Sequence, residues 1–303
     1  MKSTDNLLPN PRPALDYSAA ARRIEELQAR DTDEINPLCR TKFMTHGRKV
    51  ERSAVFLHGL TNCPQGFEKL GTAFYDLGWN VLIPRVPHHG LADRMTSNLA
   101  KLTAETLVTF TDEVVDIGRG LGRHVTLAGI SMAGCMTAWA AQQRADLDLA
   151  VIIAPTFGLH AAPTALTQLT TALFSRLPNF FIWWDPRCKA DLPGPKYAYP
   201  RFSTHALSQA YRLGFAVQAC ARQAKPAARS ILAVTNANDL AVNNTDMSRL
   251  VSAWRKRGAT NVRTYEFAAD LMLPHDWISP EQPGQRVEVT YPIFIDLITS
   301  ALG

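Results

Sequence analysis

The chain has 303 residues, 46% of them hydrophobic and 19% charged, which is the composition of a globular protein with a sizeable core. The 32 Lys and Arg against 27 Asp and Glu leave a formal charge of +5, and the densest basic run, Arg255-Lys256-Arg257, suits a helix C-terminus rather than a nucleic-acid stripe, so no nucleic-acid partner is expected. No window approaches the roughly 18 apolar residues of a membrane-spanning helix, so no stable membrane insertion is expected either.

Five cysteines (Cys39, Cys63, Cys135, Cys188 and Cys220) are scattered, odd in number and without metal-ligand spacing. That pattern predicts reduced thiols in a cytoplasmic protein and no metal site. Asp5 and the prolines Pro9, Pro11 and Pro13 stand where the apolar stretch of a secretory signal would lie, so none is expected.

In chain order, Asp16 is a candidate N-cap for a helix from Tyr17 to Ala29, whose apolar face is Ala19, Ala20, Ile24 and Leu27. From Ser53 the text turns to a βα rhythm. Ala54–Leu57 reads as a buried strand, followed by the loop His58-Gly59-Leu60-Thr61-Asn62 and a helix over about 65–77. A strand over Asn80–Ile83 leads into a loop with Pro84, Pro87 and Gly90, then a helix over about 104–117.

A strand beginning near Val125 breaks at Gly129-Ile-Ser131-Met-Ala133-Gly134 and runs on into helix-forming residues. Such a strand-to-helix turn holds a serine hydroxyl out at the carboxyl edge of a sheet, with the first amides of the next helix aimed at whatever it attacks. Further strands are expected over 149–154, 230–235 and 262–267, and helices near 246–256 and over 287–302. Strands alternating with helices predict a mainly parallel sheet covered by helices on both faces.

The stretch 155–229 breaks this rhythm. It carries Phe180-Phe181-Ile182-Trp183-Trp184, then Pro186, Pro193, Pro195 and Pro200, then a helical pattern from Ala206 to Arg222. It is far longer than an ordinary αβ connection. It reads as a largely helical cap, or lid, over the carboxyl edge of the sheet; the alternative is ordinary core wrapped on one flank. The expected organisation is an N-terminal segment with a helix (1–52), a core from 53–154 and 230–303, and the cap insertion 155–229.

Asp239 follows the 230–235 strand in a polar turn, and His275 follows the last strand in Leu271-Met-Leu-Pro-His275. No Asp or Glu occurs between Ala154 and Trp184, the other usual place for an acid, and Asp246 reads as a helix-start residue. The order Ser131, Asp239, His275 is the one a nucleophile elbow of this kind requires. His58, His88 and His89 all precede Ser131 and therefore read as bracing or lining residues.

With the His-Gly loop, the elbow, Asp239 and His275, the chain resembles an α/β-hydrolase of the serine esterase and lipase type. It is similar in places to bacterial carboxylesterases and monoglyceride lipases, over about 53–275. One departure is Ala133, where glycine is usual, with Gly134 next. The resemblance implies a Ser-His-Asp ester hydrolase without metal or organic cofactor, acting on a small-molecule ester. Ser131 would be the nucleophile, His275 the base and Asp239 the acid that orients it, while the amides of Leu60 and Met132 would stabilise the oxyanion. Thr61 is a further candidate donor. Trp183 and Trp184, with their aromatic neighbours, either wall a pocket for a short- to medium-chain acyl or monoacylglycerol-like ester or pack the cap onto the body. An aspartate-nucleophile dehalogenase or epoxide hydrolase is excluded by Ser131. A thioesterase or carbon–carbon bond hydrolase with the same triad, and a non-catalytic ligand-binding protein on the same scaffold, stay open.

Overall fold

The computed structural model describes residues 7–160 and 163–301. Its centre is a seven-stranded sheet built from β1 (Lys42–Met44), β2 (Val50–Leu57), β3 (Asn80–Ile83), β4 (Gly122–Ile130), β5 (Leu149–Ile153), β8 (Ser230–Asn236) and β9 (Val262–Phe267). The strand order is β1-β3-β2-β4-β5-β8-β9, with β1 antiparallel at the edge and every other pairing parallel. A separate two-stranded antiparallel ribbon joins β6 (Phe181–Trp183) to β7 (Arg201–Ser203).

Both faces of the sheet are covered, and the register shows how. Val55, Leu127, Ala150, Ile231 and Val262 pair in succession across β2, β4, β5, β8 and β9. All five belong to one buried cluster, shared with α1 (Tyr17–Gln28), α3 (Ala104–Leu121), α4 (Met132–Gln143), α6 (Thr204–Ala221) and α7 (Asn244–Lys256). The next row, Phe56, Ala128, Val151 and Leu232, points the other way and packs with α2 (Glu68–Asp76) and α8 (Val287–Thr299). Successive strand residues face opposite sides, so a strand buried on both must be apolar throughout.

Asp16 caps α1, accepting from the amide of Ala19. The stretch before it is clamped by buried carboxylates of α3: Asp112 accepts from the Asn10 amide and Asp116 from the Arg12 amide, each at 2.6 Å. Arg144 bridges the same two aspartates from the other side, which balances their buried charge.

The residue pattern predicts no strand at β1, no helix at α5 (Thr164–Phe174) and no β6–β7 ribbon, and the structure has all three. The two ribbon strands and β1 span three residues each, too few for a period to show. Leu302, the end of the expected last helix, lies outside the described residues. Helix α6 presents Ala206, Ala210, Leu213, Val217 and Ala221 to the cluster that also holds α4, so this part of 155–229 is embedded in the body of the sheet's covering layer. No helix among the described residues is long and apolar enough to cross a membrane.

One expectation is overturned. Cys39 and Cys63 are joined in a disulfide, while Cys135, Cys188 and Cys220 are free. The bond joins the turn Pro37–Cys39 to the Pro64–Phe67 turn that starts α2, positions brought together only by folding. The thiol count therefore no longer supports a cytoplasmic location.

Candidate active site

Ser131 sits between the end of β4 and the start of α4 with φ 62° and ψ −119°, a left-handed conformation that a residue with a Cβ rarely adopts. Such strain persists only when the surroundings over-determine it. Here the Ser131 amide donates to the Ile153 carbonyl at 2.9 Å, and the Ser131 carbonyl accepts from the Thr156 amide at 3.1 Å. Gly134 lets α4 close onto the end of β5, since a Cβ there would lie 2.8 Å from the Ile153 oxygen. This close approach is made at Gly134, so Ala133 is accommodated. Among the described residues the hydroxyl of Ser131 has Thr156 Oγ1 as its hydrogen-bond partner, at 3.0 Å, and not His275.

Asp239 lies in the turn after β8. Its Oδ1 accepts from the amides of Ala241 and Val242, and its Oδ2 meets His275 Nδ1 at 2.6 Å. Burial opposes the negative charge, but the His275 hydrogen bond and the two amides outweigh it and hold the Asp239 carboxyl below the usual range. On His275, burial likewise opposes the positive charge, and the Asp239 bond and charge, with Asp276, overcome it. The imidazole pKa is therefore raised above its ordinary value of 6.5.

The loop bearing His275 is anchored from two sides. The buried Asn236 side chain, at the end of β8, donates to the carbonyls of Leu273 and Pro274. Trp277 is fully buried between Phe267 and Phe294. Asp246 stands apart from this arrangement: it is in the first turn of α7, ion-paired with Arg249 at 2.8 Å, and Asn243 caps the helix.

The loop after β2 reaches Ser131 through Gly59, where an added Cβ would lie 3.3 Å from the serine Cβ. Two buried histidines brace it. His58 donates from Nδ1 to the Gly59 carbonyl, since its Nε2 accepts the Val86 amide. His89 meets the Leu60 carbonyl through Nε2 at 2.6 Å. The second His89 nitrogen, Nδ1, meets the Pro87 carbonyl at 2.9 Å. Burial pushes His89 down to about 4, and burial, with His89 nearby, pushes His58 well below its ordinary value. Among the described residues the Leu60 amide donates to no protein acceptor. The Met132 amide is the first of α4, where an N–H has no intrahelical acceptor.

Ser131 and His275 line one pocket of about 290 Å³. Its lining includes Gly59, Leu60, Thr61 and Asn62 from the loop after β2, and Trp184, Leu192, Pro193, Pro195 and Tyr199 from the 155–229 segment. That segment is bonded to the loop after β2: Trp184 Nε1 donates to Thr61 Oγ1 at 3.0 Å, and the Tyr199 amide to the Thr61 carbonyl at 2.8 Å. Trp183, one residue earlier, is not part of the wall; its ring lies near the Arg201 guanidinium, 5.6 Å from the centroid. Cys135 lies beneath the elbow, donating to the Thr156 carbonyl, and burial keeps its thiol protonated.

Four residues at or beside this site stand in no motif of the sequence: Thr156, Asn236, Asp276 and Arg94. Asp276 accepts from Asn62 Nδ2 at 2.7 Å and so ties the His275 loop to the loop after β2. Only its position next to His275 hinted at this.

Comparison with known proteins follows the same lines. The model of a family described as the alpha/beta hydrolase family matches residues 54–289. The chain is similar in structure to a metagenome-derived lipolytic enzyme from work on LipS and LipT, at 18% identity and TM-score 0.61, over 88% of this chain and 99% of that one. It is likewise similar to a monoacylglycerol lipase of Paleococcus ferrophilus, at 16% identity and TM-score 0.63, over 86% and 98%. A soluble variant of monoglyceride lipase from Saccharomyces cerevisiae matches at 12% identity and TM-score 0.61, over 86% and 90%. At these identities the likeness is one of fold. No curated protein matches the sequence.

Proposed function

Because this chain belongs to the alpha/beta hydrolase family, we propose that it is a serine hydrolase that cleaves carboxylic esters through Ser131, His275 and Asp239. The observation that carries the reading is the 2.6 Å Asp239–His275 bond behind a pocket that both His275 and the strained Ser131 line. In this reading the Ser131 hydroxyl leaves Thr156 for His275 Nε2. The imidazole takes its proton as the oxygen attacks the ester carbonyl. Asp239 fixes the tautomer with the proton on Nδ1 and stabilises the imidazolium that forms. The tetrahedral oxyanion accepts from the amides of Leu60 and Met132, with the Thr61 hydroxyl, now bonded to Trp184, at the rim. His275 then protonates the leaving alcohol. Water attacks the acyl-serine by the same route in reverse roles, releasing acid and free enzyme.

The mostly apolar walls support short- to medium-chain acyl or monoacylglycerol-like esters as substrates, with Trp184 as a substrate-facing side chain. Turnover of a p-nitrophenyl ester series from acetate to palmitate tests this: a maximum at one short or medium length is expected, and a flat profile counts against an acyl pocket. The same triad serves thioesters and activated carbon–carbon bonds, so folded protein inert to every ester in the series would move the reading to those linkages.

The pH dependence follows from His275. Only the neutral imidazole can accept the serine proton, and Asp239 holds its pKa above 6.5. We expect kcat/KM to fall as pH drops, with a midpoint above 6.5 rather than at it. A pH–rate profile of the wild type checks this, and a midpoint below the ordinary imidazole value would contradict it.

A further inference from the structure

The pocket contains a cation that ester cleavage by Ser131 does not use. Arg94, in the loop between β3 and α3, lines the same cavity as Ser131 and His275. Its stem is held: Nε donates to the Ala198 carbonyl at 2.8 Å, and the nearby Leu91 amide donates to the Tyr199 hydroxyl at 2.9 Å. Among the described residues its Nη1 and Nη2 make no hydrogen bond, and no carboxylate lies within 4.0 Å of the guanidinium. Four arginines elsewhere in the fold are held by carboxylates, Arg30 by Glu113, Arg85 by Asp31, Arg144 by Asp112 and Asp116, and Arg212 by Glu105.

The other ionic groups around the cavity do not neutralise it. Asp276 also lines the pocket, but its carboxylate already accepts from Asn62 Nδ2 and from the amides of Ile278 and Ser279. Asp239 is turned to His275 and to two amides. Arg94 therefore offers two free donor groups in a planar fork held at Nε, half-buried at a cavity that Leu192, Pro193 and Pro195 also line.

We propose that Arg94 is a specificity-determining residue that binds a carboxylate of the substrate, so that the preferred ester carries a negative charge apart from its scissile bond. The proposal deepens the serine-hydrolase reading and rests on it. A guanidinium fork matches a carboxylate with two parallel hydrogen bonds, and a neutral ester of the same length leaves those donors to water alone.

The test compares kcat/KM for two matched pairs of esters in wild type, Arg94→Gln and Arg94→Lys. One pair places the charge on the acyl side, the mono-p-nitrophenyl ester of glutaric acid against p-nitrophenyl pentanoate. The other places it on the alcohol side, 4-carboxyphenyl butyrate against phenyl butyrate. Wild type is expected to prefer the charged member of one pair. Arg94→Gln should reduce that ratio by about 10- to 100-fold, the range for a hydrogen bond to a charged group, and Arg94→Lys should keep part of it. No charged preference in wild type, or a loss in Arg94→Gln shared equally by charged and neutral esters, overturns the proposal. If wild type hydrolyses none of the four esters, the serine-esterase reading fails by itself. Calorimetric titration with uncleaved 4-carboxyphenyl butyrate then decides the role of Arg94: binding lost in Arg94→Gln supports it, and binding that is absent or indifferent to the substitution overturns it.

Discussion

Replacing Ser131 by alanine is expected to lower kcat by about 10⁴–10⁶-fold while leaving the fold intact. The size of the effect comes from losing the covalent route altogether. The Leu60 and Met132 amides and the pocket walls remain, and they sustain only the residual acceleration that oxyanion stabilisation and binding provide. Of the two nearby hydroxyls, that of Thr156 bonds Ser131 but does not line the pocket, and that of Thr61 is held by Trp184. The fold is expected to survive because the φ of 62° is imposed by backbone bonds to Ile153 and from Thr156, which alanine keeps. Turnover of the best p-nitrophenyl ester, measured beside thermal unfolding of both proteins, checks the prediction. Near-wild-type turnover in a folded Ser131→Ala would sink the nucleophile assignment.

Exchanging carboxylates for amides at two positions tests the proposed catalytic acid against its rival. Asp239→Asn is expected to lower kcat by roughly 10⁴-fold, because an amide NH₂ facing His275 Nδ1 stabilises the wrong tautomer, with the proton on the nitrogen that must receive it. The amides of Ala241 and Val242 still find an oxygen, so the turn keeps its shape and the loss falls on catalysis. Asp246→Asn is expected to leave kcat within a few-fold of wild type, since Asp246 pairs with Arg249 at the start of α7 and has no bond to His275. The pH profile supplies a second readout. Residual activity of Asp239→Asn should lose protons at a lower pH than wild type, because the interaction that raised the imidazole pKa is gone. A severe Asp246→Asn beside a mild Asp239→Asn would move the acid to the other loop.

Much of the sheet was legible in the sequence, for a reason visible in its register. Strands buried on both faces must be apolar at every buried position, so Ala54–Leu57, Leu149–Ile153 and Ile231–Val234 stand out without any partner being known. The elbow was legible for a similar reason: a sharp strand-to-helix turn needs small residues at fixed offsets from Ser131. The 155–229 segment was harder. Its composition marked it as different, but α6 carries small residues, alanine and glycine among them, whose burial against α4 depends on what packs above them.

What the sequence by itself determined is therefore what local chemistry controls: strand and helix positions, the turn that presents Ser131, and the chain order of Ser131, Asp239 and His275. Tertiary structure decided whatever depends on distance in space between residues far apart in the chain. It joined Cys39 to Cys63 against the expectation of reduced thiols, and it bonded Asn62 to Asp276 across 214 positions. It held Arg94 to the Ala198 carbonyl across 104 positions, and it set Thr156 against the Ser131 hydroxyl. A side chain's type shows which partners it can take, and only the folded backbone determines which of them lie within about 3 Å.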